Sequence, residues 1–228
     1  MVVAVVEVAP AAAGRVALVA GATGLVGREV LAVLLTDKRY SAVLAIGRRQ
    51  LLEQHPRLVS ITVDLMRLQA LPAVDDVYIA LGTTIKVAGS RQAFRAVDFD
   101  AVIAVATAAM AAGATRLGVV SAMGADARSA IFYNRVKGEM EQALARIGFN
   151  TLVIVRPSIL DGDRAALAQR MRLGERLSVR LMSALKLFIP RNYRAIKATD
   201  VARALVAGVT DGRPGKRIIV SGDMQPRG

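Results

Sequence analysis

Val16-Ala17-Leu18-Val19-Ala20-Gly21-Ala22-Thr23-Gly24-Leu25-Val26-Gly27-Arg28-Glu29-Val30 is the stretch whose reading decides the fold. An apolar run breaks into a glycine-spaced turn and resumes with helical periodicity, the pattern of a strand, a phosphate loop and a helix. Gly21, Gly24 and Gly27 follow the spacing G-x-x-G-x-x-G, and each has its own task. Gly21 permits a tight exit from the strand, Gly24 lets the backbone approach a pyrophosphate, and Gly27 allows close packing of helix on sheet. Thr23, Leu25 and Val26 complete the loop and the first helical turn, where free N–H groups face the phosphates. An ordinary strand-to-helix turn can carry the same glycines, but the strand before and the helix after supply the context that a dinucleotide site requires.

Working outward, 228 residues suffice for one large α/β domain with a substantial core. Hydrophobic residues make up 54% and mean hydropathy is +0.43, which argues against long disorder, while aromatics are only 4%. A core of Ala, Val, Leu and Ile suits a parallel sheet buried on both faces. With no cysteine, disulfides, thiolate metal sites and a cysteine nucleophile are excluded. The single histidine, His55, sits in a polar loop, so histidine triads and histidine-rich metal clusters are excluded too, and no metal site is expected. The net charge of +13 would suit nucleic acid, anionic lipid or a phosphorylated cofactor. Aromatic interleaving and nucleic-acid motifs are absent, so no specific nucleic-acid partner is expected. Met1 to Ala13 carries Glu7, lacks a basic start and is too short to span a bilayer. It reads as a loose extension, residues 14–228 as one domain, and the protein as soluble and cytoplasmic, a monomer or a dimer.

In chain order, Arg15 to Ala20 is the first strand and Leu25 to Thr36 the first helix. Ala42 to Gly47 is a second strand, ending in Arg48-Arg49 about 20 residues beyond the glycine turn, where an adenosine ribose is read. Arginines there pair with a 2′-phosphate, so NADP(H) is preferred over NAD(H). Leu58 to Val63 is a third strand, closed by Asp64-Leu65; Asp64 is placed to meet the adenine amino group or to cap a helix over Leu65 to Leu71. Asp76 to Ala80 is a fourth strand, running into Leu81-Gly82-Thr83-Thr84, a small hydroxylated loop at a carboxyl strand edge. Lys86 to Ser90 reads as a loop, Arg91 to Ala112 as a long helix stopped by Gly113, and Arg116 to Val120 as a fifth strand ending at Ser121. These steps predict a doubly wound parallel sheet with helices on both faces.

Tyr133 and Lys137 stand four positions apart, one turn on one side of a helix, with Ser121 at the preceding strand edge. A lysine cation stabilises a phenolate and brings a tyrosine within reach of acid–base work, the same lysine can hold a ribose, and a serine hydroxyl can bond a substrate oxygen. The glycine turn, Ser121 and Tyr133-x-x-x-Lys137 resemble the short-chain dehydrogenase/reductase superfamily over nearly the whole chain after residue 14. Ala80-Leu81-Gly82-Thr83-Thr84, Ser121-Ala122-Met123-Gly124-Ala125-Asp126, Val136-Lys137-Gly138-Glu139 and Val155-Arg156-Pro157-Ser158 resemble its atypical branch, which contains the Tat-interacting-protein-like oxidoreductases. The resemblance implies a Rossmann fold, NADP(H), and a Ser121, Tyr133, Lys137 constellation acting on a small carbonyl or alcohol. It also implies that Leu81 to Thr84 passes the nicotinamide side and that Pro157-Ser158 packs near it. The asparagine of the typical proton relay has no counterpart; Asp98 lies in that region, and an ionised aspartate cannot donate as an asparagine does. The branch equally includes cofactor-binding regulators with little turnover, which is the alternative function.

From Arg164 to Lys197, nine basic residues face one acid, Glu175, among interleaved leucines. The resemblance makes 158–198 a small substrate lobe. A basic amphipathic stretch over 164–197 also suits weak contact with a membrane surface or an acidic partner. Thr199-Asp200-Val201-Ala202 opens a helix that ends near Gly212, Lys216 to Val220 is the last strand, and the tail reads as loose.

Overall fold

In the computed structural model, which describes residues 14–68, 70–161 and 190–226, the glycine stretch folds as strand β1 (Arg15–Ala20), a turn, and helix α1 (Leu25–Thr36). The strands that follow are β2 (Tyr40–Gly47), β3 (Leu58–Thr62), β4 (Asp76–Ile79), β5 (Arg116–Val120), β6 (Thr151–Arg156) and β7 (Gly215–Val220). The helices are α2 (Ile85–Ala88), α3 (Arg91–Arg95), α4 (Ala101–Ala111), α5 (Phe132–Ile147), α6 (Ala198–Thr210) and α7 (Ser221–Met224). The strands form one parallel sheet in the order β3-β2-β1-β4-β5-β6-β7, the doubly wound Rossmann arrangement that the sequence predicts. Because β1 lies between β2 and β4, the chain leaves β1 to one side and returns to the other, and the strand ends part to leave a crevice there.

Both faces of the middle of the sheet are covered, so β1, β2, β4, β5 and β6 are buried over most of their length. Val102, Val105, Ala106 and Ala109 of α4 and Met140 and Leu144 of α5 pack on Leu18, Leu44, Val77 and Leu117. Val30, Leu31 and Leu34 of α1 and Val201, Leu205 and Val209 of α6 pack on Ala17, Val43, Tyr78 and Val153. The glycines of the first turn set the height of α1. Gly21 has φ +93, and a Cβ there would stand 2.6 Å from the Ala80 carbonyl oxygen; a Cβ on Gly27 would stand 2.0 Å from the Gly21 carbonyl oxygen. At the other end of α1, the Arg57 guanidinium donates to the carbonyls of Leu35, Asp37 and Tyr40, meeting carbonyls at and just beyond the helix end.

The opposite edge of the sheet, at the strand beginnings, holds a buried polar cluster. Asp76, fully buried, accepts from the Tyr40 hydroxyl at 2.5 Å and the Arg116 Nε at 2.5 Å, and Tyr40 and Tyr78 hydroxyls lie 2.7 Å apart. Burial, with Asp76 beside it, pushes the Tyr40 phenol far above its usual range; burial, with Tyr40 adjacent, does the same for Tyr78. The cluster ties β2, β4 and β5 together at one end, leaving the other end for binding.

Several expected elements differ. Among the described residues of 65–71 no helix forms: the Asp64 carboxylate accepts the Met66 N–H at 3.0 Å in a local turn, and Pro72 disfavours helix in the residue before it. The expected loop at Lys86 instead contains α2, because the Thr84 hydroxyl caps the Val87 N–H at 3.1 Å and Gly89, φ 85, ends the turn. The long helix from Arg91 is one continuous path that widens into a π-type turn over Ala96–Asp100. Thr199 falls inside α6 rather than capping it. The tail is not loose up to 226: α7 buries Ser221 and Met224, and Gln225 donates to the Arg191 carbonyl at 2.8 Å. The extension 1–13 and most of the lobe, residues 162–189, lie outside the described residues.

Two substitutions test this frame. Gly27→Ala should lower stability by about 2 kcal/mol, since its neighbour is backbone that cannot rotate away. Asp76→Ala should cost about 3 kcal/mol by leaving the Arg116 charge and the Tyr40 phenol without their acceptor. Denaturant unfolding measures both, and a midpoint unchanged from the parent protein would contradict the packing described.

Candidate functional site

The crevice at the carboxyl ends of β1, β2 and β4 is a cleft of about 160 Å³. One wall is the glycine turn, Gly21 to Gly24; another is the end of β2 with Arg48, Arg49 and Leu51; the far end is Ala80, Leu81, Gly82 and Val97, with Ser60 and Leu65 below. Gly24 opens α1 with no side-chain cap and no acid in the first turn, so the positive end of the helix is left to face an anion. A Cβ on Gly24 would press on the Gly21 carbonyl at 3.3 Å, and Gly24 N–H bonds that carbonyl at 2.9 Å. Arg49, exposed, reaches back across the mouth to donate to the Thr23 hydroxyl at 3.1 Å.

Of the residues expected to hold a cofactor, Gly21, Thr23, Gly24, Arg48, Arg49, Leu65, Leu81 and Gly82 line this cleft. Leu25, Val26 and Gly27 form the helical turn behind the loop. Asp64 is exposed and occupied in its own turn. Thr83 and Thr84 lie just past the lining: the Thr83 N–H donates to Asp98 at 2.9 Å, and Thr84 is the cap of α2. Pro157 accepts the Met123 N–H at 3.0 Å, and the Ser158 hydroxyl is taken by the Arg194 carbonyl and Ser221, so neither lines the cleft. Sequence reasoning missed Ala22, Ala45, Ile46, Gly47, Leu51, Ser60, Ala80 and Val97. Apart from Ser60, whose hydroxyl accepts the Leu51 N–H at 3.2 Å, they have no polar side chain; only the placement of β2 beside β1 could have marked Ala45 to Gly47.

Helix α5 presents Tyr133, half-buried, with its ring 5.3 Å from that of Phe94, and Lys137, 3% exposed. Lys137 Nζ sits 2.7 Å from Asp98 Oδ1, with Asp98 fully buried on the π-type turn. A Cβ on Gly82 would stand 3.5 Å from that carboxylate and 3.9 Å from Nζ, so the pair lies directly behind the far end of the cleft. Burial pushes the Asp98 carboxyl up, against the Lys137 ammonium and the Thr83 amide, which pull it down.

Ser121 is placed differently from expectation. Only 5% exposed and outside the cleft lining, it donates to Glu141 Oε1 at 2.5 Å. Arg156 grips the same carboxylate with both nitrogens, at 3.0 and 2.6 Å. The serine proton is therefore already bonded, and a role as donor to substrate would require breaking that bond. His55 accepts the Arg57 N–H within its turn, and among the described residues no group of three His, Asp or Glu side chains is arranged to hold a metal. Among them, too, no helix is long and apolar enough to cross a membrane; the basic stretch 164–189 lies outside them.

A family model described as NAD(P)H-binding matches residues 21–212. The protein FMP52 of Eremothecium gossypii is 37% identical over 151 residues, 65% of this chain and 67% of its own length. Rat HTATIP2 is 33% identical over 193 residues, covering 82% of this chain and 77% of its own. A solved short chain dehydrogenase family protein from Francisella tularensis superposes with a TM-score of 0.67 at 15% identity, over 92% of this chain and 99% of that one, and so shares the fold. The expected cytoplasmic location is overturned by the fungal relative, which is named as a mitochondrial protein. By the extent of the family match and of the likeness to rat HTATIP2, the chain belongs to the NAD(P)H-binding family and is a relative of FMP52 and HTATIP2.

Proposed function

We propose that this protein binds NADP(H) and serves hydride transfer to or from a small carbonyl or alcohol. The observation that carries the reading is the two-ended cleft, with two arginines and an uncapped helix start at one end and a buried lysine behind Gly82 at the other. Residues Gly21 to Gly24 and the first turn of α1 would hold the diphosphate. Arg49 would exchange the neutral Thr23 hydroxyl for a 2′-phosphate, a charge-assisted partner roughly twice as strong. When bound, the nicotinamide supplies or accepts the hydride. Tyr133 gives or takes the proton at the substrate oxygen, and Lys137, one turn further along α5, orients the ribose and acts on the phenol electrostatically.

A second reading, a cofactor-binding regulator with little turnover, is favoured by one observation: Ser121 has its proton on Glu141 and does not offer it to a substrate oxygen. A substrate panel discriminates, since the regulator gives cofactor binding and no NADPH consumption with any carbonyl tried.

Arg49→Ala should weaken NADPH at least tenfold, about 1.4 kcal/mol, and leave NADH unchanged; calorimetry with both dinucleotides reads this, and equal losses would remove the phosphate role. Tyr133→Phe should abolish carbonyl reduction while NADPH affinity stays within about twofold, and retained turnover would assign the proton elsewhere.

A further inference from the structure

The most unusual feature outside the cleft lining is the complete pairing of the charges that α5 carries inward. Its buried face mixes Val136, Met140 and Leu144 with Lys137 and Glu141. Glu141 is matched by Arg156, and at the surface Glu139 is matched by Arg95 and Arg135. Lys137 is matched by Asp98 alone among these carboxylates, at 2.7 Å, with both side chains almost wholly out of water. Asp98 is presented by the π-type turn over Ala96–Asp100, and its second oxygen is held by the Thr83 N–H at 2.9 Å. The carboxylate therefore joins three elements: the α3–α4 helical path, the loop after β4, and α5.

We propose that Asp98 is a positioning residue for the reaction, clamping Lys137 behind Gly82 and offsetting the charge that this lysine presents to Tyr133. The proposal rests on the assignment of Tyr133 as proton donor and acceptor. A lone lysine one helical turn from a phenol favours the phenolate, whereas a lysine already neutralised at contact distance exerts a much weaker field. Several groups among the described residues surround this centre. On α5 they are Tyr133, Lys137 and Glu141; just past β5, Ser121; on β6, Arg156, already bonded to Glu141; on the loop after β4, the Thr83 amide; on α3, Phe94 beside the tyrosine ring and Arg95, bonded to Glu139. Removing the Asp98 charge leaves the other pairs intact and frees Lys137 to act on Tyr133. The consequence for the chemistry is directional: the site holds its phenol proton to higher pH, which suits donation to a carbonyl oxygen across the neutral range, while alcohol oxidation requires more alkaline conditions.

Tyrosine titration tests this without substrate or cofactor. The phenolate absorbance of the full chain is followed against pH, and the Tyr133 contribution is identified by its loss in Tyr133→Phe. Asp98→Asn should move the Tyr133 midpoint down by about one pH unit, a tenfold change in its ionisation ratio. An unmoved or raised midpoint overturns the proposal. Should Asp98→Asn not fold, the double variant Asp98→Asn with Lys137→Met, which removes both charges, should titrate within a few tenths of a unit of the parent; a midpoint raised by about a unit would mean that Lys137 acts unopposed and would overturn the proposal. NADPH calorimetry on the same samples is a separate readout: loss of binding in the parent protein would sink the functional reading, while the titration would still decide the role of Asp98.

Discussion

The contact on which the molecule depends is backbone against backbone: Gly27 of α1 resting on the carbonyl of Gly21, which itself rests on Ala80 at the end of β4. No side chain fits at either layer, so the helix start is held against the strand ends at a distance that only hydrogen atoms allow. That closeness does two things together. It lets α1 bury Val30, Leu31 and Leu34 on the sheet, and it brings the unbonded amides of the first turn to the rim of the crevice between β1 and β4. Core packing and the position of the helix start at the crevice are thus set by one dimension.

At the other end of the cleft the controlling terms are electrostatic. Burying Lys137, Asp98, Glu141 and Ser121 costs more than a set of leucines would, and such pairs contribute little net stability when intact. They fix geometry instead. With both Glu141 oxygens held by Arg156 and one of them also by Ser121, α5 is restrained in rotation about its axis. That same rotation sets where Tyr133 and Lys137 stand, so Ser121 and Arg156 bear on those two side chains through the helix.

The elements legible in the sequence were those with a local signature. The bounds of β1, α1 and β5 agree with the periodic runs at Arg15, Leu25 and Arg116, and the parallel order follows from the alternation of strands and helices. What escaped was written in residues far apart. Nothing near Ser121 announces Glu141, twenty positions on, or Arg156 beyond that; Asp98 and Lys137 are brought together by the sheet order and by a widened helical turn that no periodicity reveals. Arg57 reads as one more surface arginine until the fold brings it under the end of α1. Thr84 and Asp64 show the reverse error: polar residues at strand ends invite a ligand reading, yet each is consumed by the backbone beside it.

The two ends of the chain around residues 162–189 are fastened to the same place. Leu160 pairs with Ile196, Asp161 N–H bonds the Ile196 carbonyl at 3.0 Å, and Ser158 is tied to Arg194 and Ser221. With both stems pinned, the entropy of closing whatever is carried between them grows only slowly with its length. Changes in the length of that connection therefore carry only a small entropic cost for the sheet to which its stems are fastened.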